Sequence, residues 1–531
     1  MRRALGPTVK EGHILEPKNF QSQSDLNSNG HFTTAPRKPH GLHESDRPNS
    51  DQQVPRHRLS RKYALSLCLV LSASLSLIPC FSAYAGQTTL QDALRHTYET
   101  NPYLESQRAT QRATDEAVPQ AKANWFRPTL SSNGGMGYTY DKSSAAFNSA
   151  STGGQQPPYT AKTHTPDAEV SLSLPIFMSG QTKYGIQEAE AEVDVGQWNL
   201  VASEQSILSQ AATAYAQIVL YEGLVAVAQQ ELDAYLPLKK MTESMFKSRT
   251  STITDLAQVK SEVAQSKAYL ATNKGTLETY RATYFAIIGK EPQDLAPLPT
   301  LEIQPATLTE AEELALKQNP LIRSAEYSVH QSQFDIKGKK ATLLPTIEAT
   351  ASYSADWART DYNSDGTTGF QKSDSQDGQV NLVATIPLYS GGVKYSYIRQ
   401  SIQENIANQR SLKNVIRTQV GTLQGAWHER ESQIEVVKAY EDAIGSARTA
   451  VTGKIHEFKN GTTSMQEVIN AQETLYNVLS QRAQASYNLF ITELSILQSL
   501  GSLTATGLSL NVPIYNPEDY LEEVRNRWVG W

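Results

Sequence analysis

The sequence predicts an α+β membrane protein. Four β-strands per chain would close an outer-membrane barrel only by association, three chains giving twelve strands, with a long α-helical coiled-coil barrel continuing it. Three observations predict this. The chain is internally duplicated. Each half holds a pair of strands with period-2 alternation around a polar loop. Each half also holds a very long helical stretch, about 182 to 249 and 394 to 459, with 3.5-residue apolar spacing and no strong stop signal.

The duplication is read from five matches in the same order. "LQDALRHTYETNPYL" (90–104) answers "LTEAEELALKQNPLI" (308–322), with Asn-Pro at 101–102 and 319–320. "WFRPTL" (125–130) answers "LLPTI" (343–347), and "LSLPIFMSGQTKY" (172–184) answers "VATIPLYSGGVKY" (383–395). "FKSRTSTITDL" (246–256) answers "FKNGTTSMQEV" (458–468), and "FAIIGKEP" (285–292) answers "LQSLGSL" (497–503). Halves of this length are far longer than a solenoid repeat. The expected organisation is a first repeat over 86–300, a second over 301–503 and a tail over 504–531.

Residues 1–60 are polar and rich in Pro and His, and read as an unstructured leader. Arg61-Lys62, an apolar run from Ala64 to Ile78 and Ala83-Tyr84-Ala85 make a secretory signal peptide over 61–85. A leader ahead of a signal peptide suggests a start codon placed too early. Cys80 offers lipidation as the alternative processing. Both cysteines, Cys68 and Cys80, fall in this segment, so no disulfide or thiolate metal site is expected in the mature chain. Residues 86–531 carry a formal charge of −11, with no basic patch of the kind that binds nucleic acid. After Ala85 no run of apolar residues is long enough for a transmembrane helix. An exported chain of this kind can be periplasmic, released, or inserted as a barrel.

Each half opens with a helical stretch, about 88–123 and 308–341. A strand follows: Ile347, Ala349, Ala351 and Tyr353 alternate with Thr346, Glu348, Thr350 and Ser352. Long polar loops are expected over 141–166 and 357–378. The second strands alternate likewise at Ala168, Val170, Leu172, Leu174 and at Val380, Leu382, Ala384, Ile386. Pro175 and Pro387, each with glycine beyond (Gly180; Gly391, Gly392), are expected to end them. Aromatics at both ends, Trp125, Phe126, Phe177 and Tyr389 against Tyr138, Tyr140, Tyr353 and Trp357, suit a membrane strand pair. A soluble amphipathic hairpin would alternate in the same way.

The helices separate the two. Ile207, Ala211, Ala214, Ile218, Tyr221, Val225, Ala228, Leu232 and Tyr235 step by 4 and 3 as a coiled-coil seam does, with Pro237 expected to kink the helix. Leu423, Ala426, Val437, Tyr440, Ile444, Ala447 and Val451 continue the theme in the second half. Shorter helices are expected over 253–288 and 464–500. Each of these, stacked on an opening helix, would run beside one long helix. Four strands cannot close a barrel, and an open edge cannot face lipid, so chains must associate. No metal, nucleotide or hydrolase motif occurs; His428-Glu429 sits on a heptad helix.

With these elements in order, residues 86–531 resemble the TolC family of bacterial outer-membrane channels. The resemblance rests on the two strand exits, the two Asn-Pro elements and the two turns. The tail "YNPEDYLEEVRNRWVGW" (515–531) is similar to the ending of its type I secretion branch. The resemblance implies a homotrimeric exit tunnel with neither cofactor nor catalysis, passing secreted proteins or small toxic molecules. Its partners would be a periplasmic adaptor, an inner-membrane ABC or proton-driven transporter, and outer-membrane lipid. It also implies that the turns form the docking tip: Phe246, Arg249, Thr250 and Thr252 in the first, Phe458, Gly461, Thr462 and Thr463 in the second. Asp255 and Glu467 would line the periplasmic constriction with Asn470, which stands where the family has a further acid. Phe458 and Thr463 stand where the family has a bridging Tyr and Arg. Helix capping is the plain alternative for both acids, since Thr252 to Asp255 and Ser464 to Glu467 fit S/T-x-x-D/E. Drug or metal efflux with a proton-driven pump is the alternative transport role. A trimeric coiled-coil surface protein is the alternative outside transport.

Overall fold

The computed structural model describes residues 87–529 except 145–146 and 150–153. The leader and signal-peptide expectations lie outside the described residues. Helices α1 (Leu90–Thr100), α2 (Pro102–Asp115) and α3 (Ala117–Lys122) open the first repeat, and α6 (Leu308–Gln318) and α7 (Pro320–Ala341) open the second. The expected single opening helix is therefore broken in both halves. Asn101 and Asn319 cause the break. A residue before proline is driven out of the α region, and both sit near φ −71° and −63° with extended ψ. Each side-chain carbonyl then caps the next helix, accepting from Tyr103 and Leu104 N–H or from Leu321 and Ile322 N–H.

The same two asparagines make the end-to-end joints. Asn101 Nδ2 donates to the Ile287 carbonyl (2.8 Å) and Asn319 Nδ2 to the Ser499 carbonyl (2.9 Å). These carbonyls lie at the C-termini of α5 (Ile253–Ile288) and α9 (Met465–Leu500). Hence α5 abuts α2 and α9 abuts α7, alongside the long helices α4 (Gln181–Lys247) and α8 (Val393–Lys459). Each long helix has 67 residues, about 100 Å at 1.5 Å per residue. Gly501 ends α9 at φ 83°, pressed on this joint; a Cβ there would come within 2.5 Å of the Gln318 carbonyl.

The α4 seam is the core. Ile207, Ala211, Ala214, Ile218, Ala228, Leu232 and Tyr235 are buried, and the helix continues through Pro237. By length and composition alone, α4 could cross a membrane, yet half of its apolar stretch is buried within the molecule. Fewer seam positions of α8 are buried: Leu423, Ala447 and Val451 are, while Val437, Tyr440 and Ile444 are half-exposed.

Four long antiparallel strands follow the order β1 (Thr129–Ser143), β4 (Tyr159–Phe177), β5 (Thr346–Ser364), β6 (Thr367–Thr385). A short hairpin, β2 (Phe147–Ser149) with β3 (Gly154–Gln156), lies between β1 and β4. The strands are 15 to 19 residues long, against the 9 to 11 a membrane strand needs. The expected loop over 357–378 is thus mostly strand, closed by a two-residue turn at Asp365-Gly366 (φ 49° and 79°). Asp-Gly with both φ positive matches the right-handed twist of paired strands, and period-2 polar residues sustain a ladder as well as apolar ones. The expected loop over 141–166 shrinks in the same way. Pro387 lies beyond the end of β6, as expected. Pro175 does not end β4, which runs to Phe177 past a register shift between Pro175 and Phe177. A proline is accommodated there because a bulge removes the demand for its missing N–H.

Exposure sorts the two faces. Along β4, Asp167, Glu169 and Ser171 are half-buried while Ala168, Val170 and Leu172 are exposed; Tyr353 and Trp357 of β5 join the exposed side. The polar face is therefore the more covered one on the inner strands β4 and β5, while β1 and β6 are exposed on both faces. One cross-strand row on the apolar side reads Leu130–Leu172–Ala351–Val380, and the polar row beside it reads Ser131–Ser171–Ser352–Gln379. The tail docks beside the α1–α3 region: Glu204 accepts the Ala505 N–H (2.7 Å), Tyr98 Oη accepts the Tyr515 N–H (3.1 Å), and α10 (Glu518–Val524) sets Tyr520 Oη on Glu116 (2.8 Å).

Candidate functional site: two helical turns and their carboxylates

The turn from α4 to α5 and the turn from α8 to α9 lie at one end of the molecule. A shared core holds them together: Leu238 of α4, Val259 and Val263 of α5, Phe458 of α8, and Met465, Val468 and Ile469 of α9. The backbone of one turn repeats in the other. Arg249 N–H donates to the Phe246 carbonyl and Gly461 N–H to the Phe458 carbonyl, while Thr250 and Thr462 donate to the Met245 and Glu457 carbonyls. Both threonine hydroxyls donate to these same carbonyls at 3.0 and 2.9 Å. This satisfies carbonyls that a helix end leaves orphaned.

The turn needs a left-handed residue at its fourth position, three after the Phe. Gly461 has φ 73° and Arg249 has φ 62°. A side chain in that region costs about 1 kcal/mol that glycine avoids. Arg249→Gly is therefore expected to raise thermal stability, by about 0.5–1 kcal/mol per chain, read as a higher unfolding midpoint. A lower midpoint would mean that the Arg249 side chain itself holds the turn. Strand exits repeat the device: Ser179 (φ 49°) and Gly180 (φ 86°) lead into α4 as Gly391 (φ 63°) and Gly392 (φ 81°) lead into α8.

The two acids are not equivalent. Asp255 completes a capping box. It accepts from Thr252 N–H (3.0 Å), Thr252 Oγ1 (2.8 Å) and Ser251 Oγ (3.1 Å), and its own N–H donates to Thr252 Oγ1 (3.1 Å). The Thr252 backbone donor, then the Thr252 and Ser251 hydroxyls, hold its carboxyl below the ordinary range despite partial burial. Glu467 donates its N–H to Ser464 Oγ (3.4 Å), but its side chain is exposed and only loosely paired with Lys454 (4.0 Å). Among the described residues no hydrogen bond or ion pair joins Asp255 to Glu467. Asn470 is exposed and accepts from Gln466 (2.7 Å). Phe458 is 8% exposed within the shared core, whereas Phe246 is 38% exposed; Thr252 is exposed and Thr463 half-buried.

Sequence reading missed a second acidic cluster behind the tip. Glu231 of α4, Glu262 of α5 and Glu473 of α9 converge beside Tyr235 and Tyr476. Burial raises the Glu231 carboxyl, repulsion from Glu262 and Glu473 adds to the rise, and Ser266 opposes it; burial and Glu473 raise Glu262. Tyr235 Oη is buried, with no hydrogen-bond partner among the described residues. The only sequence signal was acids one seam position from buried tyrosine. A carboxyl raised in the fold favours folding while protonated, so this contribution is lost as pH rises from the ordinary 4.5 through the folded value. Glu231→Gln should flatten the fall in thermal midpoint over that window. An unchanged slope would show that the cluster is relaxed by water.

A family profile described as "Outer membrane efflux protein" matches residues 91–290 and 312–502, one match per repeat. The chain belongs to this family. It is an outer-membrane protein of the TolC kind. The outer membrane efflux protein BepC of Brucella suis is 29% identical over 443 residues, 83% of this chain and 91% of that protein. The outer membrane protein TolC of Escherichia coli is 25% identical over 457 residues, 83% of this chain and 88% of that one. The fold matches a crystal structure of CusC, which concerns transmembrane channel formation, with a TM-score of 0.64 at 15% identity over 78% of this chain and 92% of that one. Family membership decides for an outer-membrane exit channel over a coiled-coil surface protein.

Proposed function

We propose that three copies of this chain close a twelve-stranded barrel, with the helices as a tube across the periplasm. The observation that carries this reading is the four-stranded sheet with one apolar and one polar face and two edge strands, β1 and β6, that have no outer partner among the described residues. Successive strands alternate direction, so β6 of one chain runs antiparallel to β1 of the next, as closure requires. The turns at 246–256 and 458–468 are the docking tip for a periplasmic adaptor and an inner-membrane pump, and Asp255 and Glu467 line the opening there. The cargo is secreted protein or small toxic molecules. The type I secretion reading draws on the tail, and the efflux reading on the name BepC. Neighbouring genes for an ABC transporter with a large acidic secreted protein would favour the first.

The strand–turn end at Asp365-Gly366 then faces outside the cell. An epitope inserted at Gly366 is expected to be reached by antibody on intact cells, with the detergent-purified protein at the mass of a trimer. Labelling only after the outer membrane is permeabilised would reverse the orientation. A stable monomer would sink the architecture.

A further inference from the structure

Charge is divided between the two faces of the sheet. The inward face carries Asp141, Asp167, Glu169, Glu348, Asp356 and Asp377 and no Lys or Arg. Every basic side chain of the four strands, Lys142, Lys162, Arg359 and Lys372, is on the outward face, against Asp361 and Asp374. These four are not scattered along it. They sit at the end far from the helices, in the rows Tyr138–His164–Arg359–Lys372 and Tyr140–Lys162–Asp361–Phe370 and, at Lys142, one row beyond.

Position narrows what these rows meet. From the first outward row, Ile347–Ala384, to the Arg359–Lys372 row is 12 residues along β5. That is about 40 Å of strand, or about 30 Å of height at a tilt near 40°, one hydrocarbon thickness. The basic rows therefore emerge where lipid headgroups begin. The aromatic residues among them suit an interface: the Tyr138 and His164 rings pack at a tilt of 54° (centroids 4.9 Å apart), and the Arg359 guanidinium lies 5.3 Å from the Phe370 ring centre. Arg359 is steered by Asp361 (3.1 Å), while among the described residues no ion pair engages Lys142, Lys162 or Lys372, all exposed. Tyr140, Lys162, Asp361 and Phe370 line a groove of about 560 Å³.

We infer that this patch binds the phosphates of a phosphorylated glycolipid of the outer leaflet, the lipid A class. The inference rests on the barrel and orientation proposed above, which put the helix-distal interface in that leaflet. Lys162 and Lys372 flank Arg359 across two strand spacings, about 10 Å, so more than one phosphate can be held at once. A glycolipid with two phosphates meets that span better than a phospholipid with one.

Native mass spectrometry of delipidated trimer tests this, with bisphosphorylated lipid A, its monophosphorylated form and phosphatidylglycerol as probes. The bisphosphorylated lipid should bind best and the single-phosphate lipids more weakly. The variant Lys162→Gln/Arg359→Gln/Lys372→Gln should lose about 100-fold, three basic contacts at a factor of about five each. Lys372→Gln alone should lose about fivefold, and serves if the triple variant does not assemble. Equal binding of phosphatidylglycerol and bisphosphorylated lipid A by the unaltered trimer, or no loss in the variants, overturns the inference. A trimer that inserts yet ignores lipid A removes this inference alone. A protein that stays monomeric without detergent removes the barrel reading beneath it.

Discussion

Val170→Arg should keep the protein out of the outer membrane, while Ser171→Arg, one residue on, should leave insertion intact. Val170 belongs to the outward row Ser132–Val170–Tyr353–Gly378, six residues from each end of the outward apolar span on β5. That places it near the bilayer midplane of the proposed barrel. Arginine on the lipid face at that depth costs about 2–4 kcal/mol per site, and a trimer repeats it three times. The cost is comparable with the net stability of a whole domain. Ser171 points the other way, where Ser131 and Ser352 flank it and the nearby acids Asp167 and Glu169 favour a cation. Heat-stable trimer recovered from outer-membrane fractions is the readout. Equal loss in both variants would mean general damage to β4, and equal tolerance would mean that the face assignment is wrong.

The contrast between those neighbours was legible in the sequence because strand periodicity is 2, and a face assignment needs only the parity of Val170 against Glu169. The long helices were legible for the same kind of reason. The bounds expected for α4 and α8 hold to within about two residues, since an unbroken seam and a glycine at each start leave little freedom. Strand length was not legible. Over 357–378 the polarity extends to both faces, and the burial that distinguishes a strand from a loop is absent; backbone pairing with β5 keeps the ladder going regardless. The break at Asn101 was visible as a motif but not as a joint, because the partner carbonyl of Ile287 is 186 residues away in sequence. The candidate gate divides likewise. The shared turn and both caps could be read from spacing. The unequal roles of Asp255 and Glu467 could not: a carboxylate one methylene longer leaves the reciprocal bonds unmade and the charge in solvent, although Thr463 offers a hydroxyl where the first turn has Ser251.

That inequality shapes the gate experiment. Asp255→Asn together with Glu467→Gln removes two carboxylates per chain, six per trimer, from the proposed opening. Converging like charges in a narrow passage favour cations and attract multivalent blockers. The double variant should therefore show lower cation selectivity in single-channel recordings and weaker block by multivalent cations, with the trimer intact. The acidic inward face of the barrel sets a floor. Asp167, Glu169, Asp356 and Asp377 remain, so selectivity should fall without inverting. The single variants separate pore lining from capping. Asp255 accepts three hydrogen bonds that order the start of α5, and Asn keeps one acceptor oxygen, so Asp255→Asn should cost about 1 kcal/mol or less. Glu467 accepts none of these, so Glu467→Gln should leave the unfolding midpoint nearly unmoved while still changing selectivity. Unchanged selectivity in Glu467→Gln would remove the pore role from the acid that has no capping bond to explain its presence. Unchanged selectivity in the double variant, with a sharp fall in midpoint, would make both acids caps and place the constriction elsewhere along the tube.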